Sequence, residues 1–154
     1  MNDTSPGSGF GKKLLNHNGL MTPVITRFFG PMRAIQTRFE ETQATYYRVS
    51  LLYQCAQHNL IIEAKLLASK DNLPAGLIDA LRNTDQLFGQ LLLDYHISVR
   101  IAPPKIRHDN SRWSRQLAML DKANGKLLCK VDEHLVSDQQ LLKHCIIPQE
   151  SSIK

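Results

Sequence analysis

Lys126-Leu127-Leu128-Cys129-Lys130-Val131-Asp132-Glu133-His134-Leu135-Val136 reads as a β-strand. Alternation puts Leu127, Cys129, Val131, Glu133 and Leu135 on one face. Lys126, Leu128, Lys130, Asp132, His134 and Val136 take the other. Glu133 therefore falls in the apolar row. A carboxylate removed from water is costly unless it is paired, or it keeps its proton through a raised pKa. Such groups are candidate general acids and bases. The alternative is a strand-end glutamate that reaches water.

Working outward, Asn124-Gly125 is a hairpin signal that joins this strand to another over Trp113–Leu120. Ile97–Ala102 is a strand closed by Pro103-Pro104. Tyr46–Ala56 and Leu60–Ala68 are rich in Tyr, Val, Leu and Ile, and the short Gln57-His58-Asn59 link predicts a hairpin. Arg33–Glu41 is a further strand. Leu20–Phe29 is a helix, with Thr22 as N-cap, Pro23 in the first turn, Gly30 as C-cap and Pro31 as the stop. Asn72–Asn83 is helical, and Thr84 or Asp85 caps another helix to about Tyr95. The helices fall in clumps and do not alternate with strands. The expected class is α+β: a mainly antiparallel six-stranded sheet with helices packed at one side.

The 154 residues suit a single domain. Met1–Gly11 is rich in Asn, Ser, Gly and Pro and lacks a basic segment followed by an apolar core. It reads as a flexible leader, not a secretory signal. The domain is expected over 12–148, with a tail over 149–154. No apolar run approaches the roughly 20 residues of a membrane span. Cys55, Cys129 and Cys145 are odd in number and widely spaced, with no CxxC or Cys/His metal pattern. Reduced thiols, a cytoplasmic location and no metal are expected. The net charge of +5 favours an anionic partner. The basic residues are scattered and no zinc-finger pattern occurs, so a small anionic metabolite is preferred to nucleic acid. A monomer is expected.

Certain spaced residues resemble the chorismate pyruvate-lyase (4-hydroxybenzoate synthase) family from about Leu20 to Val136. Met21-Thr22 opens the first helix as a Met-Thr pair does there. Tyr47-Arg48, an apolar strand, a turn and Glu63-Ala64-Lys65 look like its arginine-bearing hairpin. Phe88-Gly89, followed by Ser98-Val99-Arg100, is similar to its central helix-to-strand passage. Trp113-Ser114-Arg115, then Gly125-Lys126-Leu127-Leu128 and Glu133, look like its closing hairpin. The chain departs in a longer turn after Arg48 and in a missing proline after the glutamate. The spacing from Gly125 is also one residue longer, so a gapless match selects Asp132. Alternation favours Glu133, because Asp132 shares a face with two lysines.

The resemblance implies a lyase that converts chorismate to 4-hydroxybenzoate and pyruvate for quinone biosynthesis, without metal or organic cofactor. It implies Arg48 as the product-binding arginine and Glu133 as the catalytic glutamate. Backbone amides of Met21 and Phe88 would hold the ligand carboxylate. Chorismate carries a second carboxylate on its enolpyruvyl arm, for which Arg100 and Arg115 are candidates. From alternation alone, Arg48 shares the less apolar face of its strand with Tyr46, Ser50, Leu52 and Gln54, as a solvated arginine opposite Glu63 would. Met21 as core packing and Arg100 and Arg115 as surface residues are the corresponding plain readings. Two other functions stay open: a non-catalytic module of the same fold that binds an aromatic acid, and a relative with altered chemistry in secondary metabolism.

Overall fold

The computed structural model describes residues 9–147. Residues 1–8 of the expected leader, and the expected tail, lie outside them. The elements run α1 (Phe10–Leu15), α2 (Met21–Phe29), β1 (Met32–Glu41), β2 (Thr45–Gln54), β3 (Leu60–Ser69), α3 (Ala75–Asn83), α4 (Phe88–Asp94), β4 (Val99–Ile101), β5 (Lys105–Asp109), β6 (Arg112–Asp121), β7 (Leu127–Leu135) and α5 (Asp138–His144). The class is α+β. Among the described residues the sheet has seven strands, in the order β1-β2-β3-β7-β6-β4, and β5 pairs with β6 beside β4. Every pairing is antiparallel.

Three elements were not expected from the sequence. The β5 strand alternates charged residues with few apolar ones and lies at the sheet edge, so no apolar row marks it. The α5 helix starts at Ser137, whose hydroxyl accepts the Gln140 N–H, half of a capping box that the sequence displays. The α1 helix takes up the end of the expected leader. Phe10 and Gly11 are buried there, and the Asp138 carboxylate accepts the N–H groups of Gly9 and Gly11. A Cβ on Gly11 would meet Asp138 Oδ1 at 2.8 Å and Trp113 Cδ1 at 2.9 Å, so only glycine lets α1 sit this close.

Two helix starts are also displaced. Leu20, in extended backbone, is the N-cap of α2, and Thr22 lies within the first turn. The α4 helix begins at Phe88 and not after Thr84 or Asp85. The Thr84 hydroxyl donates back to the Ala80 carbonyl, and the Asp85 carbonyl accepts the Ala34 N–H. Residues 84–87 thus stay out of the helix and fasten it to β1.

On β2 the buried face is Tyr46, Arg48, Ser50, Leu52 and Gln54, the row that looked less apolar. Two of the polar members, Arg48 and Gln54, donate to main-chain carbonyls that lie above them. Gln54 Nε2, for example, donates to the carbonyls of Phe29 and His144. Arg48 lies opposite Leu66, and Glu63 lies opposite Leu51, so the expected Arg48–Glu63 pairing does not form. On β7 the row Cys129, Val131, Glu133 and Leu135 is buried as alternation requires. The row breaks at its start. Met119 pairs with Cys129 and Leu120 with Leu127, a bulge that buries Leu128 and exposes Leu127.

Two apolar clusters cover this one face. Leu73, Leu77, Ile78, Leu81, Leu91 and Leu92 of the α3–α4 region pack over one half. Phe10, Leu14, Leu15, Ile25, Phe29 and Leu141 of α1, α2 and α5 pack over the other.

Candidate functional site

Between these clusters lies an apolar cavity lined by Met21, Ile25, Leu52, Ile62, Leu66, Leu87, Phe88 and Val131, with Arg48, Ser50 and Glu133 as its polar side chains among others. Its floor is β2, β3 and β7, and its roof is the starts of α2 and α4. The cavity offers about 60 Å³ to the centre of a water molecule. An apolar cavity of about 150 Å³ accommodates benzene. A ring can therefore enter only if the roof draws back.

The roof is closed by a glycine contact. A Cβ on Gly89 would overlap Thr22 Oγ1, so α4 and α2 approach this closely because residue 89 has none. The helices start at Leu20 and Leu87, whose side chains cannot accept a hydrogen bond, and neither start has a side-chain cap. Their first-turn amides, those of Met21 and Phe88 among them, are left without a capping side chain at the cavity.

Arg48 is 4% exposed. Its Nη1 donates to the Leu81 carbonyl at 3.4 Å and its Nη2 to the Gln86 carbonyl at 3.5 Å, both long contacts. Among the described residues no carboxylate pairs with it. Burial lowers its pKa to about 10, against a smaller opposing effect of Tyr46. Arg48 is thus a desolvated guanidinium with weak neutral partners, poised for an anion.

Glu133 is 7% exposed, and Oε1 accepts from Arg115 Nε at 2.6 Å. Burial raises its pKa; the charge and hydrogen bond of Arg115 oppose this, and Asp132 adds to it. Asp132 points to the other face, where Oδ1 lies 3.0 Å from His134 Nε2. The pleat therefore selects Glu133 over Asp132 for the cavity.

Arg115 is 0% exposed and does not line the cavity. Nη1 donates to the carbonyls of Leu15 at 3.4 Å and His17 at 2.9 Å, and Nη2 to that of Gly19 at 3.0 Å. Its donors are committed to the link between α1 and α2 and to Glu133. The expected role on a ligand carboxylate gives way to that of a clamp. Arg100 is exposed on β4, opposite Leu120, and also stands apart from the cavity. The structure thus brings Arg48, Glu133, Met21 and Phe88 together and leaves Arg100 and Arg115 outside.

Ser50, Thr22 and Gly89 line the same cavity and were not singled out as site residues from the sequence. Ser50 had a signal: it is two residues from Arg48 and shares its face. Gly89 had a weaker one, a glycine early in a helix. Among the described residues no group of three or more His, Cys, Asp or Glu is placed to hold a metal ion. No helix among them is long and apolar enough to cross a membrane. Comparison of the sequence with models of known protein families, and with curated proteins, finds no match.

Proposed function

We propose that this protein is a carbon–oxygen lyase of the chorismate pyruvate-lyase type, releasing 4-hydroxybenzoate and pyruvate from chorismate. One observation carries the reading: a guanidinium buried without a counter-ion among the described residues, and a buried carboxylate with a raised pKa, line one apolar cavity.

Arg48 takes the ring carboxylate as a charge-assisted pair, which restores the solvation its burial removed. Arg48 is the cationic side chain among the lining residues, so the arm carboxylate turns to backbone amides at the start of α2. The reaction breaks the bond between ring position 3 and the ether oxygen, whose electron pair leaves with the enolpyruvate. The proton on ring position 4 is lost and its electrons complete the aromatic ring. Enolpyruvate gains a proton to become pyruvate, so the sequence needs no oxidant or reductant. Glu133 is the group in the cavity that can carry that proton. Burial lifts its pKa toward the working range of a general acid or base, while Arg115 fixes one oxygen and leaves the other for the ligand. A positioned acid or base contributes about 10²–10⁴-fold in rate. Orientation and the exclusion of water under α2 and α4 supply the remainder.

The Glu133–Arg115 pair also favours a second reading, because a paired carboxylate can serve structure alone. The cavity would then bind an aromatic acid without turning it over. Purified protein mixed with chorismate separates the two readings. The lyase reading expects pyruvate and 4-hydroxybenzoate in equal amounts, abolished in Glu133→Gln. Product binding without pyruvate above a protein-free control supports the binder.

A further inference from the structure

Ser50 is 1% exposed, lines the cavity, and its Oγ has no hydrogen-bond partner among the described residues. A buried hydroxyl in that state calls for a partner. The register shows where one would come from. Ser50 pairs with Ala64 and Ala64 pairs with Glu133, so the three form one row across β2, β3 and β7. Ala64 is small, and the floor between the hydroxyl and the carboxylate is therefore low. Arg48 stands two residues along β2 on the same face. Strand spacing and rise put Ser50 about 7 Å from Arg48 and about 10 Å from Glu133 between Cα atoms, with Arg48 and Glu133 about 12 Å apart. The three Cα atoms make a right triangle with Ser50 at the square corner.

A ring acid that reaches from Arg48 to Glu133 lies along the long side. Its carboxylate and its para oxygen occupy the two ends, and one ring edge faces Ser50. We propose that Ser50 Oγ donates a hydrogen bond to an oxygen substituent on that edge, at ring position 3. This rests on the lyase reading above and extends it. The site is shaped for a ring carboxylate with adjacent oxygens at positions 3 and 4, and the position-3 oxygen of chorismate is the ether that leaves. The hydroxyl holds this oxygen while the bond to carbon breaks and negative charge gathers on it. The product has no oxygen there, so Ser50 favours substrate over product.

Calorimetric titration with 4-hydroxybenzoate and 3,4-dihydroxybenzoate tests this without turnover. The wild type should bind the dihydroxy acid about five- to tenfold more tightly, the gain from one neutral hydrogen bond. In Ser50→Ala the preference should vanish while the affinity for 4-hydroxybenzoate holds. The same variant should lower kcat/KM on chorismate more than about tenfold, with a rise in KM from the lost ground-state hydrogen bond and a fall in kcat from the lost hold on the leaving oxygen. Equal affinities in the wild type, or a preference that survives in Ser50→Ala, overturn the role of Ser50 and leave the lyase reading standing. Failure of both acids to bind overturns both.

Discussion

Arg48 carries an energetic conflict. A guanidinium at 4% exposure, without a carboxylate among the described residues, offsets its desolvation with only two long carbonyl contacts. On the proposed function, such a residue serves binding at the expense of stability. Arg48→Met, which keeps the apolar stem and drops the charge, should stabilise the ligand-free protein by about 1–3 kcal/mol in chemical denaturation. It should also abolish binding of 4-hydroxybenzoate. Destabilisation would mean that the carbonyl contacts outweigh the buried charge. Arg115 is the opposite case, since its donors meet one carboxylate and three carbonyls. Lysine cannot reproduce that planar fork. Arg115→Lys should cost about 3 kcal/mol in the same assay, the lower end of the range for breaking a buried pair.

Among the elements, the roof decides access. The contact of Gly89 with Thr22 leaves no room for a methyl group. Gly89→Ala should push α4 from α2 and destabilise by about 1–3 kcal/mol, as overpacking does. Ligand exchange should quicken, and Thr22→Ala in the same chain should recover part of the stability. An unchanged melting temperature in Gly89→Ala would show that the helices are not in firm contact. Element type was largely legible where apolar residues kept a period, as in β7, in the β2–β3 hairpin and in α2. It failed where tertiary contacts set the outcome. The Asp85 carbonyl is spent on β1, which holds back the start of α4. The charged β5 strand is fixed by its neighbour and not by a core face. The pleat of β7 put Glu133 in the apolar row, and the structure buries it there. Side-chain polarity put Arg48 on the solvent face of β2, and the structure buries it. The clamp role of Arg115 was hidden, since three of its four partners are backbone carbonyls 96 to 100 residues away in sequence.

At the scale of the whole molecule, a surface network ties the sheet edge to α3. Glu41 on β1 meets Arg82, and Lys70 Nζ lies 2.5 Å from its carboxylate. Hydrogen bonds from Arg82 and then Lys70 hold the Glu41 pKa down to about 2. Its folded pKa is therefore below the unfolded one, and the stabilisation is complete above the unfolded value of about 4.5. It drains as the pH falls from there toward about 2. Glu41→Gln should flatten the loss of stability over that window, read as denaturant midpoint against pH; an unaltered profile would assign the acid sensitivity elsewhere. The side chain is 24% exposed, so salt should weaken the effect. The larger unity is the cavity, where two apolar clusters meet around one cation and one carboxylate. Calorimetric titration of 4-hydroxybenzoate into the wild type, Glu133→Gln and Arg48→Met tests it most directly. The wild type and Glu133→Gln should bind with affinities within a few-fold of each other, and Arg48→Met should show no binding. Equal binding by the wild type and Arg48→Met, or none by the wild type, would contradict a cavity built around Arg48 and Glu133.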